Sequence, residues 1–395
     1  MKYDSVIKKS LFSLVPILFI SVLSGSASAL FLFTLDLVTS FRINHSYIIY
    51  FLPIAGLLVG LAYHYFGDRA NHGNNLLLDE FHSPKDIIPF RMAPMIYIST
   101  LISHLVGASV GREGTALQMG GSIADQFSKL FKLKDEDRKK IIIIGISAGF
   151  ASVFGTPLAA AFFAIEVFHT RRINLQYIFY SLLSAYIAHY TCLAWGITHS
   201  SFVIQNIPSF SLLNIFWTIN AGIIFGLIAY LFTNFSHFFT DISNRWIKFP
   251  PLRPFIAGLI ILMIYLFFDF KKYMGLGIPT IQDAFINPLE KHDFLIKLLL
   301  TTITIGFGFK GGEVTPLFFI GATLGNALIW FVPLPMSLLA GIGFVAVFAG
   351  ATNTLLACIL MGVELFGIQA SPFIIIACAM AYLFSGHRSV YASQQ

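Results

Sequence analysis

"GREGTALQMGGSIADQ", Gly111 to Gln126, lies over "GGEVTPLFFIGATLGN", Gly311 to Asn326, at an offset of 200 residues, with Glu113 on Glu313, Thr115 on Thr315, Leu117 on Leu317 and Gly121 on Gly321. Further along, "AGFASVFGTPLAAAFFAIEVF" (Ala148 to Phe168) lies over "AVFAGATNTLLACILMGVELF" (Ala346 to Phe366) at an offset of 198, which puts Thr156 on Thr354, Leu158 on Leu356, Glu166 on Glu364 and Phe168 on Phe366. Two separate blocks whose offsets agree within two residues mark a duplicated chain. The expected halves are residues 1–205, a first membrane repeat with an N-terminal helix, and residues 206–395, a second repeat.

Outside these blocks the chain is apolar almost throughout. Of 395 residues 56% are hydrophobic and 11% charged, against about 25% charged in a soluble domain. Long apolar runs recur from Ser10 to Phe41, Tyr47 to Phe66, Ala93 to Val110, Ile141 to Phe168, Ile173 to Ile197, Leu212 to Phe235, Pro254 to Phe268 and Leu295 to Phe309, and no Lys or Arg stands between Lys310 and Arg388. These runs fit membrane helices and lack the short alternation of an outer-membrane barrel. The fold class they imply is an all-α polytopic membrane protein.

Lys8 and Lys9 precede an apolar stretch that reaches Ser24 to Ala29 and imitates a cleavable leader, but the run continues through Leu30 to Val38, so an uncleaved first helix is expected. Cys192, Cys358 and Cys378 are far apart and show no metal-ligand spacing. The net charge of +6 comes from short basic clusters between apolar runs, where the positive-inside rule places them, and gives no support for nucleic acid.

Two of those clusters bracket one segment: Lys129, Lys132, Lys134, Arg138, Lys139 and Lys140 come before Ile141, and Arg171 and Arg172 come after His169. Both flanks should be cytoplasmic, yet two complete spans need about 40 residues and the apolar segment is shorter. Gly155 and Pro157 break it in the middle, which predicts a hairpin of short helices that does not cross fully. The counterpart in the second half has no Lys or Arg near either end, as expected of an inverted repeat.

Glycine-rich breaks open helices at His72 to Glu80, Val110 to Gln118, Gly275 to Asp283 and Lys310 to Phe319. Helix starts expose unpaired amides and a partial positive charge. Several starts converging inside a membrane make an anion site without a buried cation, although glycines also serve close helix packing. Glu113 and Glu313 stand at two of these starts. A buried carboxylate there costs several kcal/mol unless it is protonated or held, and a Glu near a helix start is also a favourable cap. An ionised carboxylate competes with an anion for the same amides, and protonation frees them, so such a site couples protons to anions.

These motifs resemble the CLC anion channels and transporters. That family carries GREGP where this chain has Gly111-Arg112-Glu113-Gly114-Thr115, and GGIFAP where it has Gly311-Gly312-Glu313-Val314-Thr315-Pro316. The departures, GREGT, the acid inside GGEVTP and Asn74 in place of serine, look like the bacterial fluoride/proton antiporters. The resemblance implies a CLC-like inverted repeat of broken and re-entrant helices. It makes Glu113 the external gating glutamate and Glu313 a second proton-transfer group. It makes the amides near Gly114, Val314 and Thr315 anion ligands, places Asn74 beside the central anion, and has Tyr391 close the inner side.

Further expectations follow from the resemblance. The second proton-carrying glutamate of chloride-coupled relatives falls on Val167 here, so Glu313 is its natural substitute and Glu166 serves packing or hydrogen bonding. Asn74, Thr115, Thr315, Tyr391 and a protonated Glu313 can donate to fluoride, which gives up its water only for strong donors. The implied protein is a homodimer in the lipid of the bacterial cytoplasmic membrane, exporting fluoride as protons enter, with no cofactor, no metal and no soluble regulatory domain.

The same-fold rival is a chloride-selective transporter or passive channel. A rival from another class is an intramembrane enzyme, for which the chain offers no HExxH set. Arg112 is expected to cap carbonyls or pair with a nearby acid, and His104 to make a polar contact between helices. His72 and His82 are expected in surface loops rather than at a metal.

Overall fold

The computed structural model describes residues 2–168, 175–268 and 270–394, with side chains from residue 14 onward. Sixteen α-helices run through these residues: α1 (Lys2–Asn44), α2 (Leu52–Phe66), α3 (Asn74–His82), α4 (Met92–Leu105), α5 (Glu113–Leu130), α6 (Asp135–Phe154), α7 (Pro157–Glu166), α8 (Leu175–Ala194), α9 (Leu212–Trp246), α10 (Leu252–Phe267), α11 (Ile278–Asp283), α12 (Asp293–Gly306), α13 (Val314–Ala327), α14 (Met336–Thr352), α15 (Leu355–Phe366) and α16 (Ser371–Phe384). Three stretches are long and apolar enough to cross a bilayer, Leu14–Asn44, Ser46–Phe66 and Leu212–Trp246, while several other apolar helices have only 10–17 residues. At 1.5 Å per residue these shorter helices span at most about 26 Å, less than the roughly 30 Å of hydrocarbon.

The packing follows the duplication. Helix α5 packs on α6 as α13 packs on α14, α6 on α8 as α14 on α16, α1 on α8 as α9 on α16, and α4 on α5 as α12 on α13. Small residues set the closest approaches. A Cβ on Gly120 would strike the Gly145 carbonyl oxygen, and one on Gly321 would strike that of Gly343, the backbone-to-backbone contact that membrane helices use in place of a hydrophobic drive.

The leader-like stretch lies within α1 and is packed, since Ser21 donates to Ser184 at 2.9 Å and a Cβ on Gly25 would sit 2.6 Å from the Ala188 carbonyl oxygen. The predicted break separates α6 from α7, but only α7, with 10 residues, is short as expected; α6 has 20. The break is Gly155, in a left-handed conformation (φ 89°), followed by Thr156 and the Pro157 that opens α7. Asn353 makes the matching break between α14 and α15 (φ 56°). The flank His169, Arg171 and Arg172 lies outside the described residues.

The two short arms α7 and α15 pack together, and their glutamates exchange caps. Glu166 accepts from the amides of Leu356 (2.9 Å) and Ala357 (2.6 Å). Glu364 accepts from those of Leu158 (2.9 Å) and Ala159 (2.8 Å). Each carboxylate thereby satisfies two of the free amides of the opposite helix and sits at its positive end.

On the side of the first basic cluster, Arg138 is buried in an ionic network. It donates from Nε and Nη2 to Asp125 (2.8 and 2.7 Å), from Nη1 to Glu80 (3.0 Å) and from Nη2 to the Asp86 carbonyl (2.8 Å). Arg69 pairs with Glu80 as well. These contacts tie α3, α5 and α6 together at the end that the positive-inside rule assigns to the cytoplasm.

Candidate functional site

All four glycine-rich breaks open helices, and three of them meet. Gly111 and Gly312 exchange backbone hydrogen bonds, Gly111 N to Gly312 O at 2.5 Å and Gly312 N to Gly111 O at 2.8 Å. This antiparallel bridge brings the two related motifs face to face. Helix α5 then starts at Glu113, and α13 starts immediately after Glu313. The start of α3 joins them, because a Cβ on Gly114 would lie 3.1 Å from Asn74 Nδ2 and 3.5 Å from Glu313 Oε2. No larger residue fits at Gly114 without moving the Gly312 backbone, 2.9 Å from the same point.

Glu113 is fully buried and its carboxylate rests on the other half of the protein. The Thr315 amide donates to Oε2 at 3.1 Å, and the Thr315 hydroxyl lies 2.8 Å from Oε1 and 2.7 Å from Oε2. Its own chain adds the Arg112 amide to Oε2 at 3.3 Å, and Arg112 Nε stands 3.5 Å from Oε1. An anionic group thus occupies the positive start of α13, as a helix N-terminus favours.

Glu313 differs. It is half-buried at the N-cap of α13, and its buried Oε2 has no hydrogen-bond partner among the described residues. Asn74 Oδ1 and Tyr391 Oη share that condition. Buried polar atoms are nearly always paired, so three orphans around one junction mark a place built to receive something. Tyr391 is buried in the tail after α16, which is pinned by Val390 N to Ala351 O (2.9 Å) and Ser393 N to Asn75 Oδ1 (3.1 Å). Thr115 stands apart, its hydroxyl engaged by Thr100 at 2.7 Å. Gly114, Val314 and Thr315 contribute backbone at the two helix starts, and among them only the Thr315 amide meets Glu113 directly.

A cavity of about 10 Å³, roughly one water's worth, adjoins Glu113 and Arg112 and is walled by Phe154, Phe202, Phe318 and Phe344. Phe318 and Phe344 stack with ring centroids 4.1 Å apart. Sequence reasoning could not single these out, since 42 phenylalanines give no contrast. Helix α11, opened by the fourth break, does not join the junction but contributes Ile278 and Ile281 to this wall.

Arg112 pairs with an acid as expected. The polar contact expected of the His104 side chain is not seen, since both ring nitrogens are buried without a hydrogen-bond partner among the described residues; Arg42 of α1 donates instead to its backbone carbonyl at 3.2 Å. His72 and His82 line a separate polar cavity of about 380 Å³ with Arg69, Asp79, Glu80 and Lys85, beside the buried network of Arg138. Gly145-Ile146-Ser147-Ala148-Gly149 has the spacing of a hydrolase nucleophile elbow. It lies mid-helix in α6, however, and the Ser147 hydroxyl donates to the Ser181 carbonyl at 2.7 Å, so no strand-to-helix turn presents it.

Residues 55–386 match the family model described as voltage gated chloride channel. The chain belongs to this CLC family. Among curated CLC relatives it is 50% identical to a chloride/fluoride channel protein of Pseudomonas syringae pv. tomato, covering 95% of this chain and 84% of the relative. It is 25% identical to an H(+)/Cl(-) exchange transporter of Vibrio cholerae, over 70% of this chain and 62% of that one. Among solved CLC structures, a CLC-type fluoride/proton antiporter superposes with a TM-score of 0.93 at 35% identity, covering 96% of this chain and 97% of that one. The helical CLC architecture implied by the resemblance is therefore the fold of this chain.

Proposed function

We propose that this CLC protein exports fluoride from the cytoplasm in exchange for protons. The observation that carries the reading is the seat of Glu113. Its carboxylate takes the amide and hydroxyl of Thr315 that an entering anion needs, and nothing but protonation or displacement of that side chain can release them. Proton binding and anion binding are thereby alternatives at one place, which is the requirement for exchange.

Glu313 gives the exchange its second proton. Ionised, it repels an anion at the junction; protonated, it becomes a donor to it. Asn74, Tyr391 and the Val314 and Gly114 backbone complete the surroundings, with Thr115 supporting α5 from behind through Thr100. Fluoride is favoured over chloride because a small, strongly hydrated anion leaves water only for several short donors. The 50% and 35% identical relatives both carry fluoride in their descriptions.

The reading extends to a homodimer in the bacterial cytoplasmic membrane, each subunit built of repeats 1–205 and 206–395 around one pathway. The test is efflux from proteoliposomes followed with fluoride- and chloride-selective electrodes side by side and with external pH. Fluoride efflux that pumps protons is expected. Equal chloride and fluoride flux, or fluoride efflux without proton movement, overturns the reading.

A further inference from the structure

Gln118 lies on α5 and is buried, and its Oε1 has no hydrogen-bond partner among the described residues. Structural carboxamides in the same pair of helices are satisfied. Gln126 of α5 donates to the carbonyls of Ile88 (2.8 Å) and Ser122 (2.9 Å). Asn326 of α13 donates to Ala284 and Asn287 (both 2.8 Å) and accepts from Leu289 N (2.9 Å). Leaving a buried amide oxygen unpaired costs about 1–3 kcal/mol, so Gln118 departs from the pattern of its neighbours.

Its location is specific. Gln118 is one helical turn from Gly114 and on the same face of α5. At Gly114 the neighbour across the gap is the Asn74 side chain, and at Gln118 it is Gly73, with Nε2 3.5 Å and Oε1 3.9 Å from the position a Cβ would take there. The terminal amide therefore packs against Gly73 at the start of α3. Asn74 Oδ1, another unpaired amide oxygen, belongs to the first residue of that helix.

The duplication adds an independent argument. At the 200-residue offset Gln118 corresponds to Phe318, which walls the small cavity beside Glu113. The equivalent position of the repeat is therefore apolar in α13, where it walls that cavity, and a carboxamide in α5. Gln118 also lies about 7.5 Å beyond Glu113 along α5, toward Lys129 and the basic cluster that the positive-inside rule assigns to the cytoplasm.

We propose that Gln118 is a further, specificity-determining ligand of the transported fluoride, offering its Nε2–H to the anion between the start of α3 and the cytoplasm. This rests on the fluoride/proton reading above. The unpaired Oε1 is an acceptor and in this orientation suits a protonated carboxyl; turning the carboxamide over about Cγ–Cδ puts Nε2–H in its place, the orientation a desolvated anion requires.

The test compares the unmodified protein with Gln118→Met, which keeps the volume and removes the polar end, and with Gln118→Leu, all as full chains checked by gel filtration. Each is reconstituted and assayed with fluoride and with chloride. Fluoride efflux should fall about tenfold or more, the loss of one hydrogen bond to a charged group. Chloride efflux should fall less, so the fluoride-to-chloride ratio narrows. A Gln118→Met protein that folds and keeps both its fluoride rate and its ratio overturns the assignment and leaves the antiporter reading standing. An unmodified chain that moves no fluoride overturns both. Calorimetric titration with sodium fluoride decides the case if Gln118→Leu does not fold: an affinity unchanged in Gln118→Met counts against the proposal.

Discussion

The carboxylate of Glu113, from the first repeat, accepts hydrogen bonds from the backbone amide (3.1 Å) and the hydroxyl (2.7 Å) of Thr315, from the second. The two halves are thus joined through a side chain of one and the helix start of the other. A carboxylate buried in a membrane protein is expensive in isolation, and the helix start of α13 supplies the compensation.

Glu113→Gln should abolish proton coupling. Glutamine fills the same space but cannot cycle a proton, so fluoride flux in proteoliposomes should lose its dependence on the proton gradient and move no protons. Coupling that survives in this variant removes Glu113 from the gate.

Thr315→Val removes the hydroxyl and leaves the amide. In the Glu113→Gln background, where the carboxylate no longer competes, fluoride affinity by titration calorimetry should drop about tenfold or more, the effect of one hydrogen bond to a charged group. Thr315→Ser should restore most of it. Equal affinities for Val and Ser would show that the hydroxyl serves only the closed gate.

Glu313→Gln keeps a donor and removes the charge. In the unmodified protein, flux should decline as rising pH ionises Glu313 and sets a negative charge at the junction. The substitution should flatten that limb of the pH–flux profile. An unaltered profile would take Glu313 out of the proton cycle.

Glu166→Ala should cost stability without touching coupling. It strips two amide partners from the start of α15, a loss of about 1–3 kcal/mol, visible as a lower melting temperature in detergent. The proton-to-fluoride ratio should not change. Glu364→Ala should behave alike, since it makes the mirror-image contacts to α7. A changed ratio in Glu166→Ala would make it a proton carrier.

Arg138→Met leaves Glu80 and Asp125 without their shared partner. Breaking a buried ion pair from one side costs about 3–5 kcal/mol, so this variant should melt well below the others or fail to assemble. A melting temperature close to that of the unmodified chain would mean water reaches the network.

The chain's own residues announce the architecture at Gly155-Thr156-Pro157, at the offset repeats and at the scarcity of charge, because helix breaks, duplication and bilayer solvation are local or additive properties. Glu113 and Glu313 were legible for the same reason: a charge in an apolar block has few harmless explanations. Thr115 and Thr315 could not be told apart along the chain, being equivalent in the repeat. Folding separates them, turning one hydroxyl to Thr100 and the other to Glu113.

The sequence by itself determined that this is a duplicated helical membrane protein with acids at broken helix starts. Only the tertiary structure decided which starts meet, that Glu113 seats itself on the opposite repeat, that four of many phenylalanines wall the space beside it, and that Gln118 and Asn74 carry unpaired amide oxygens at the start of α3. The physical reason is that periodicity and composition fix what each segment can do in a membrane. Hydrogen-bond satisfaction is instead a property of atoms 200 residues apart, and it exists only once the two halves have closed on one another.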